Sequence, residues 1–272
     1  MSSLDDDAVD RYLDRIGLDG DGIRAVDRDL GTLARLQAAH ARHVPFENLS
    51  IVGAPFGDAP GEGVTLDTAA LYEKIVERER GGYCFELNGL FTALLDALGY
   101  EVHRAAAMIV PDDGEHSTPA NHHAIVVSLD RRCVVDVGTG CPRMRRPTPL
   151  DGEETPADGA GVRWRVAEND RPRYGLTAAY RVGEGDWQSR YVFDPTPRDL
   201  SYFRAACDYL ASAPESPFTG GVTVQLGAED GWRELTRGTF ARVRRGERTE
   251  RAVPEAEWHD VLEREFGLSV PE

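Results

Sequence analysis

The chain has 272 residues, with 31 Lys and Arg against 47 Asp and Glu and a formal net charge of −16. Hydrophobic residues at 41% and charged residues at 29% fit a folded globular chain and exclude general disorder, while the acidic balance argues against binding a phosphate backbone. There is no run of about 18 apolar residues to span a membrane, and the acidic start MSSLDDDAVD does not read as a signal peptide. Four cysteines (Cys84, Cys133, Cys141, Cys207) make no disulfide framework in a chain this long, so a reducing cytoplasm is expected.

Residues 5–100 read as mainly helical. Ala8, Tyr12, Leu13 and Ile16 form one helical stripe, and Leu30, Leu33, Leu36 and Ala39 form a second, capped near Asp29. Pro45 breaks the pattern in Val44-Pro45-Phe46-Glu47-Asn48. A third helix is predicted over 66–79, with Leu71 and Ile75 inward. After Gly81-Gly82, the segment Cys84 to Leu98 carries Leu87, Leu90, Phe91, Leu94, Leu95 and Leu98 at spacings of three and four, with Gly99 as a C-cap. From about residue 101 the period changes to two. Strands are predicted at 102–110, 122–129, 133–137, 162–167, 175–182 and 188–194, as an antiparallel barrel or sandwich. A helix over 199–211, strands at 222–226 and 239–244 and a terminal helix over 254–266 complete the chain.

Cys84 falls at the mouth of the amphipathic helix. A helix N-terminus offers free N–H groups and partial positive charge, which favour a thiolate nucleophile; the plainer reading is a buried structural cysteine. His122 and Asp136 supply a partner argument. Ile125, Val127 and Leu129 in one strand and Cys133, Val135 and Val137 in the next are odd-numbered and apolar. Pairing odd with odd puts His122 and Asp136 on the opposite face as diagonal neighbours, and turns His123 the other way. Ala124, Val126 and Val134 are apolar too, so a slip of one residue would hand the role to His123. A Cys–His–Asp set makes chemical sense, with imidazole taking the thiol proton and carboxylate orienting the ring.

A metal site is the main rival, since His116, His122, His123, Cys133 and Cys141 lie close in sequence. No C-x-x-C or H-x-x-x-H spacing supports it, so no metal is expected. His40, His43, His103 and His259 read as surface or helix-end residues. The run Arg143-Met144-Arg145-Arg146 reads as a solvated loop, or more sharply as a contact for a cofactor phosphate.

Arg80-Gly81-Gly82-Tyr83-Cys84-Phe85-Glu86-Leu87-Asn88 resembles the nucleophile motif R-G-G-x-C-x-E-x-N of the arylamine N-acetyltransferases. Val44 to Leu49 resembles that family's V-P-F-E-N-L. His122 through Asp136-Val137-Gly138-Thr139-Gly140 resembles its H-x-x-L-x-V and D-V-G-F-G, with Thr139 in place of the aromatic. Ser212 to Phe218 resembles its H-P-x-S-P-F stretch, with Ala213 in place of His, and Arg244 to Gly267 resembles its C-terminal segment. The resemblance implies an α+β fold of three domains with a papain-like triad: a helical bundle over 1–100, a β-barrel over 101–198, a connecting helix over 199–221 and an α/β lid over 222–272. It implies Cys84 as nucleophile, His122 as base and Asp136 as orienting acid. The implied reaction is ping-pong transfer from acetyl-coenzyme A, through acetyl-Cys84, to an arylamine, hydrazine or N-hydroxyarylamine. Phe46 and Thr139 fall at acceptor-pocket positions. Glu47, Arg80, Glu86 and Asn88 match motif positions and read as structural, with Arg80 paired to Glu47 or Glu86. The alternative is a related acyltransferase, such as an amide synthase, or a hydrolase using another acyl donor.

The cations are lopsided, because Lys74 is the single lysine and Arg supplies the rest. An acidic, lysine-poor surface keeps a protein soluble at high salt, so halophilic adaptation is expected. Far-ultraviolet circular dichroism during refolding at low and molar salt tests this. The expected outcome is structure lost only at low salt; equal structure at both leaves codon bias toward Arg as the explanation.

Overall fold

The computed structural model describes residues 4–57, 60–111, 117–171 and 173–270. The first block holds α1 (Asp6–Arg15), α2 (Gly20–Arg24), α3 (Leu30–His43), β1 (Phe46–Glu47), α4 (Leu49–Val52), α5 (Thr68–Tyr72) and α6 (Cys84–Ala97). Asp5, Asp19, Asp29 and Asp67 cap α1, α2, α3 and α5, each accepting a backbone N–H three residues on. The helix predicted over 66–79 does not run through. After α5 the backbone widens into a π-helical turn over Glu73–Glu77, which carries three consecutive residues, Lys74, Ile75 and Val76, into the interior. Helix α6 buries eleven of its residues, Cys84 among them.

The middle block holds β2 (Glu101–Ile109), β3 (His122–Ser128), β4 (Arg132–Val135), β5 (Thr148–Pro149), β6 (Val162–Glu168), β7 (Leu176–Val182) and β8 (Gln188–Arg198). They form one antiparallel sheet in the order β5-β4-β3-β2-β8-β7-β6. The sheet curls on itself. Thr155, following β5, donates its N–H to Trp164 O of β6 at 2.8 Å and accepts the Trp164 N–H on its hydroxyl at 2.9 Å. The barrel interior is filled by Ala124, Val126, Val134, Trp164, Tyr191 and Phe193. The register is Ile125 opposite Val135 and Val127 opposite Cys133, the odd-with-odd pairing that the pattern predicts. Both faces of β3 are apolar because both are covered: even residues face the barrel interior, while Ile125 and Val127 pack with α6 in the helical core.

After a 3₁₀ turn over Leu200–Phe203 come α7 (Arg204–Ser212), β9 (Thr223–Ala228), β10 (Gly231–Thr236), β11 (Thr239–Arg244), β12 (Glu247–Ala252) and α8 (Trp258–Phe266). The second sheet runs β1-β9-β10-β11-β12, so its first strand is borrowed from the helical block. Strand β12 is absent from the sequence reading because every residue in it is exposed. It is a charged edge strand with no buried face to create alternation.

The Arg143–Arg146 segment is neither a solvated loop nor an open phosphate contact. Arg143 and Arg145 are buried, and Arg146 alone is exposed. Arg143 Nη1 donates to Ala41 O at 3.2 Å and Val44 O at 2.8 Å, and Nη2 donates to Gln225 O at 3.1 Å. The last carbonyls of α3 have no intrahelical donor, and a guanidinium supplies several donors in one plane. Arg143 thereby ties the end of α3 to β9. Replacing it by Met leaves three buried carbonyls short of donors. The expected loss is about 3 kcal/mol or more, read as a lower urea midpoint; an unchanged midpoint would remove Arg143 from this role.

Candidate active site

Cys84 is the first residue of α6 and only 4% exposed. The two chain motifs around it hold each other. Glu47 N–H donates to Gly82 O at 2.9 Å and Gly82 N–H to Pro45 O at 3.2 Å, so 45–47 and 81–82 run side by side. A Cβ on Gly81 would meet Pro45 O at 2.3 Å, so only glycine allows that approach. Of the two carboxylates offered for Arg80, Glu47 takes it, at 3.1 Å, and its second oxygen accepts the Leu49 N–H.

Glu86 pairs instead with Lys74, whose Nζ lies 2.7 and 2.9 Å from the two carboxylate oxygens. The same carboxylate accepts the Tyr83 N–H at the start of α6. The single lysine of the chain is thus buried against the first turn of α6. Burial pushes the Glu86 carboxyl up, and Lys74 opposes that shift.

Asp136 follows β4 and is fully buried. One oxygen lies 2.6 Å from His122 Nε2. The other accepts the Asn88 amide at 3.0 Å and the N–H groups of Gly138 and Thr139 at 2.9 and 3.0 Å. Burial raises its pKa, but the His122 charge and these hydrogen bonds outweigh it and hold the carboxyl below its ordinary value. With Nε2 on Asp136, His122 Nδ1 is buried with no partner among the described residues.

His123 faces the other way, with Phe203 and Phe85 at ring distances of 5.0 and 5.6 Å. Burial pushes its pKa down to about 3, so it stays neutral in the helical core. His40 stands in the last turn of α3, a helix-end position, but faces the core rather than the surface. It is fully buried between Tyr12 and Phe91. Among the described residues no group of three or more His, Cys, Asp or Glu is placed to hold a metal ion; His116 lies outside them.

Asn88 does more than its sequence reading assigned. Its Nδ2 donates to Asp136 and to His123 O at 2.7 Å, while its Oδ1 accepts the Val137 and Gly138 N–H groups at 2.9 and 3.0 Å. The available signal is spacing, because Asn88 stands four residues after Cys84 on the same helix face. Gly138 must be glycine for a different reason than backbone freedom: a Cβ would lie 2.7 Å from Cys84 O and 2.9 Å from Asn88 Nδ2. The Cys84 thiol itself is raised well above its ordinary value by burial, with the Cys207 and Asp136 charges adding and the Phe85 N–H opposing. A thiol so held needs a base to take its proton.

Cys84 and His122 open onto one cavity of about 580 Å³, whose walls include Phe46, Thr139, Phe218 and Arg190. Asp136 sits behind His122. The structure therefore brings Cys84, His122, Asp136, Phe46 and Thr139 together.

The Lys74–Glu86 pair supports the start of α6 from below. Lys74→Met leaves a buried carboxylate unpaired and is expected to cost about 3–5 kcal/mol, while adding Glu86→Gln recovers most of it. Denaturant melts of the two variants decide this; equal stability would mean the pair is not coupled.

Residues 29–272 match the sequence model described as N-acetyltransferase. The arylamine N-acetyltransferase of Mycolicibacterium smegmatis is 35% identical over 271 residues, covering 95% of this chain and 91% of that one. The structure of the arylamine N-acetyltransferase from Mycobacterium abscessus superposes with a TM-score of 0.82 at 30% identity, over 97% of this chain and 90% of the other. That of Mycobacterium marinum, solved in complex with CoA, gives 0.79 at 31% identity, over 94% and 91%. The matched motifs, the three blocks in order and the Cys84–His122–Asp136 neighbourhood agree with these likenesses, and the chain belongs to the arylamine N-acetyltransferase family.

Proposed function

We propose that the protein transfers an acetyl group from acetyl-coenzyme A to an amine acceptor of the arylamine, hydrazine or N-hydroxyarylamine type, through an acetyl-Cys84 intermediate. The observation that carries this is one cavity wall holding a buried thiol and a histidine whose far nitrogen is fixed by a carboxylate. The CoA bound to the Mycobacterium marinum relative supports the donor.

In this reading His122 Nδ1 takes the Cys84 proton as sulfur attacks the thioester carbonyl. The tetrahedral adduct collapses, coenzyme A leaves with the proton from His122, and the acetyl group stays on Cys84. An acceptor amine then attacks the new thioester, His122 removes the amine proton, and Cys84 departs as the thiol. Asp136 fixes the imidazole tautomer and stabilises its protonated form. Phe46 and Thr139 contact the acceptor. No helix among the described residues is long and apolar enough to cross a membrane, and we place the protein in the cytoplasm on that and on its free cysteines.

Intact mass after mixing with acetyl-coenzyme A, without acceptor, tests the reading. One acetyl group on the wild type and none on Cys84→Ala is expected. Asp136→Asn is expected to slow acetylation by roughly 10³–10⁴-fold. No adduct on the wild type at any salt concentration would exclude this donor and leave the same residues to amide-synthase or hydrolase chemistry.

A further inference from the structure

A groove runs along the outer side of α3, away from the reactive centre. Two cavities of about 500 and 220 Å³ make it, and they share Gly31, Ala34 and Arg146. None of its residues lines the cavity of Cys84 and His122. Its apolar lining includes Leu18, Leu30, Ala34 and Ala38, and Leu30 is 38% exposed.

The cations of this groove are unusual for the chain. With 47 acidic residues against 31 Lys and Arg, an exposed guanidinium has carboxylates to meet. Arg24, Arg78, Arg244 and Arg248 each sit on one. Arg35 and Arg42, two turns apart on α3, and Arg146 across the groove are all exposed. None of the three guanidiniums has a partner among the described residues. The buried Arg145 beside them is committed within the protein. It donates to Glu229 O at 3.1 Å and to Gly231 O, and its Nε lies 3.4 Å from Asp158.

The carboxylates of the walls are mostly engaged as well. Glu153 holds Arg131 and Glu154 holds Arg181. Asp158 accepts the Ala160 and Val162 N–H groups, each at 2.9 Å. That leaves Glu229 as the wall carboxylate without a partner among the described residues, against three free guanidiniums. The groove is therefore a local positive strip on a chain of net charge −16. An acidic partner is repelled by the rest of the surface and attracted here. The shape suits a chain rather than a compact ion. From Leu30 to Arg42 the helix rises about 18 Å, the length of about five or six extended residues. Small side chains at Gly31, Ala34 and Ala38 leave room for a backbone between the guanidiniums.

We infer that this groove docks an extended acidic peptide segment of a partner protein. Its carboxylates meet Arg35, Arg42 and Arg146, and its small apolar side chains lie on Ala34 and Ala38. Fluorescence anisotropy tests this on the full chain. The probe is a labelled hexapeptide of alternating Glu and Ala, and its counterpart carries Gln in place of Glu. The wild type is expected to bind the Glu peptide roughly tenfold or more tightly than the Gln peptide, with the difference shrinking as salt is raised. Arg35→Gln and Arg42→Gln together lower Glu-peptide affinity by roughly tenfold, as two exposed ion pairs imply. Both variants keep the wild-type urea midpoint, because these guanidiniums bond nothing in the protein. Ala34→Phe fills the point where the cavities meet and lowers affinity severalfold with no change of charge. Arg132→Gln removes an exposed arginine outside the groove and leaves affinity unchanged.

Equal affinity for the two peptides overturns the inference, and so does a loss with Arg132→Gln as large as that with the α3 pair. Inorganic tripolyphosphate that displaces the peptide while Ala34→Phe leaves peptide binding in place assigns the larger cavity to a small anion instead. Sedimentation supplies the last arm: a wild-type dimer that the α3 pair abolishes gives the groove to a second copy, which also overturns the partner reading.

Discussion

One side-chain amide holds the centre of this molecule together. Asn88 leaves the first turns of α6 and bonds Asp136, His123 O and the N–H groups of Val137 and Gly138. All of its polar atoms are engaged in a fully buried place, where an unmade bond would be costly. Helix α6 brings Cys84, and the end of β4 brings Asp136. Asn88 fixes the distance between these two independently formed elements. Gly138 permits the approach and Asn88 holds it.

Around this clasp the buried charges are arranged in pairs. Arg80 meets Glu47, Lys74 meets Glu86, and the Arg143 guanidinium meets helix-end and strand carbonyls. Arg80–Glu47 and Arg143 join segments 33 to about 100 residues apart, and Lys74 and Arg143 each make more than one bond. Buried ions add little net stability over apolar residues of similar size, but they penalise any arrangement that leaves one unpaired. In that sense they define where Cys84 can stand. The single lysine of the chain stands at Glu86, where its ammonium lies within hydrogen-bond distance of both carboxylate oxygens.

Much of this was readable from residue order. The α6 stripe, the odd-with-odd hairpin and the diagonal relation of His122 to Asp136 follow from apolar spacing and from the alternation of side chains along a strand. The choice between His122 and His123 was open in the pattern itself, since β3 is covered on both sides and each slip looks equally apolar. Only the cores on either side, helical for His123 and barrel for His122, separate them. The π-helical turn at Lys74 breaks the 3.6 period without any glycine or proline to announce it. Arg143 reads as surface because charge usually is. Its burial depends on carbonyls contributed by residues 41, 44 and 225, which no local window contains. Strand β12 was invisible for the opposite reason, having no buried residue at all.

Strand β1 gives the molecule a kinetic character. Phe46 and Glu47, beside the nucleophile segment, pair with Gln225 and Val224, and Asn48 bonds Gly221, 173 residues further along. Contacts of such separation form late, because the entropy of closing a long loop must be met before they stabilise anything. During synthesis the helical block therefore emerges with one strand of its cavity wall unpaired. Phe218, which packs against Phe46 at 6.1 Å, arrives with the same late segment. A nascent or truncated chain ending before residue 209 holds Cys84, His122 and Asp136 but not the far side of their cavity. The reactive centre is closed by residues 209–225, which are made well after Asp136.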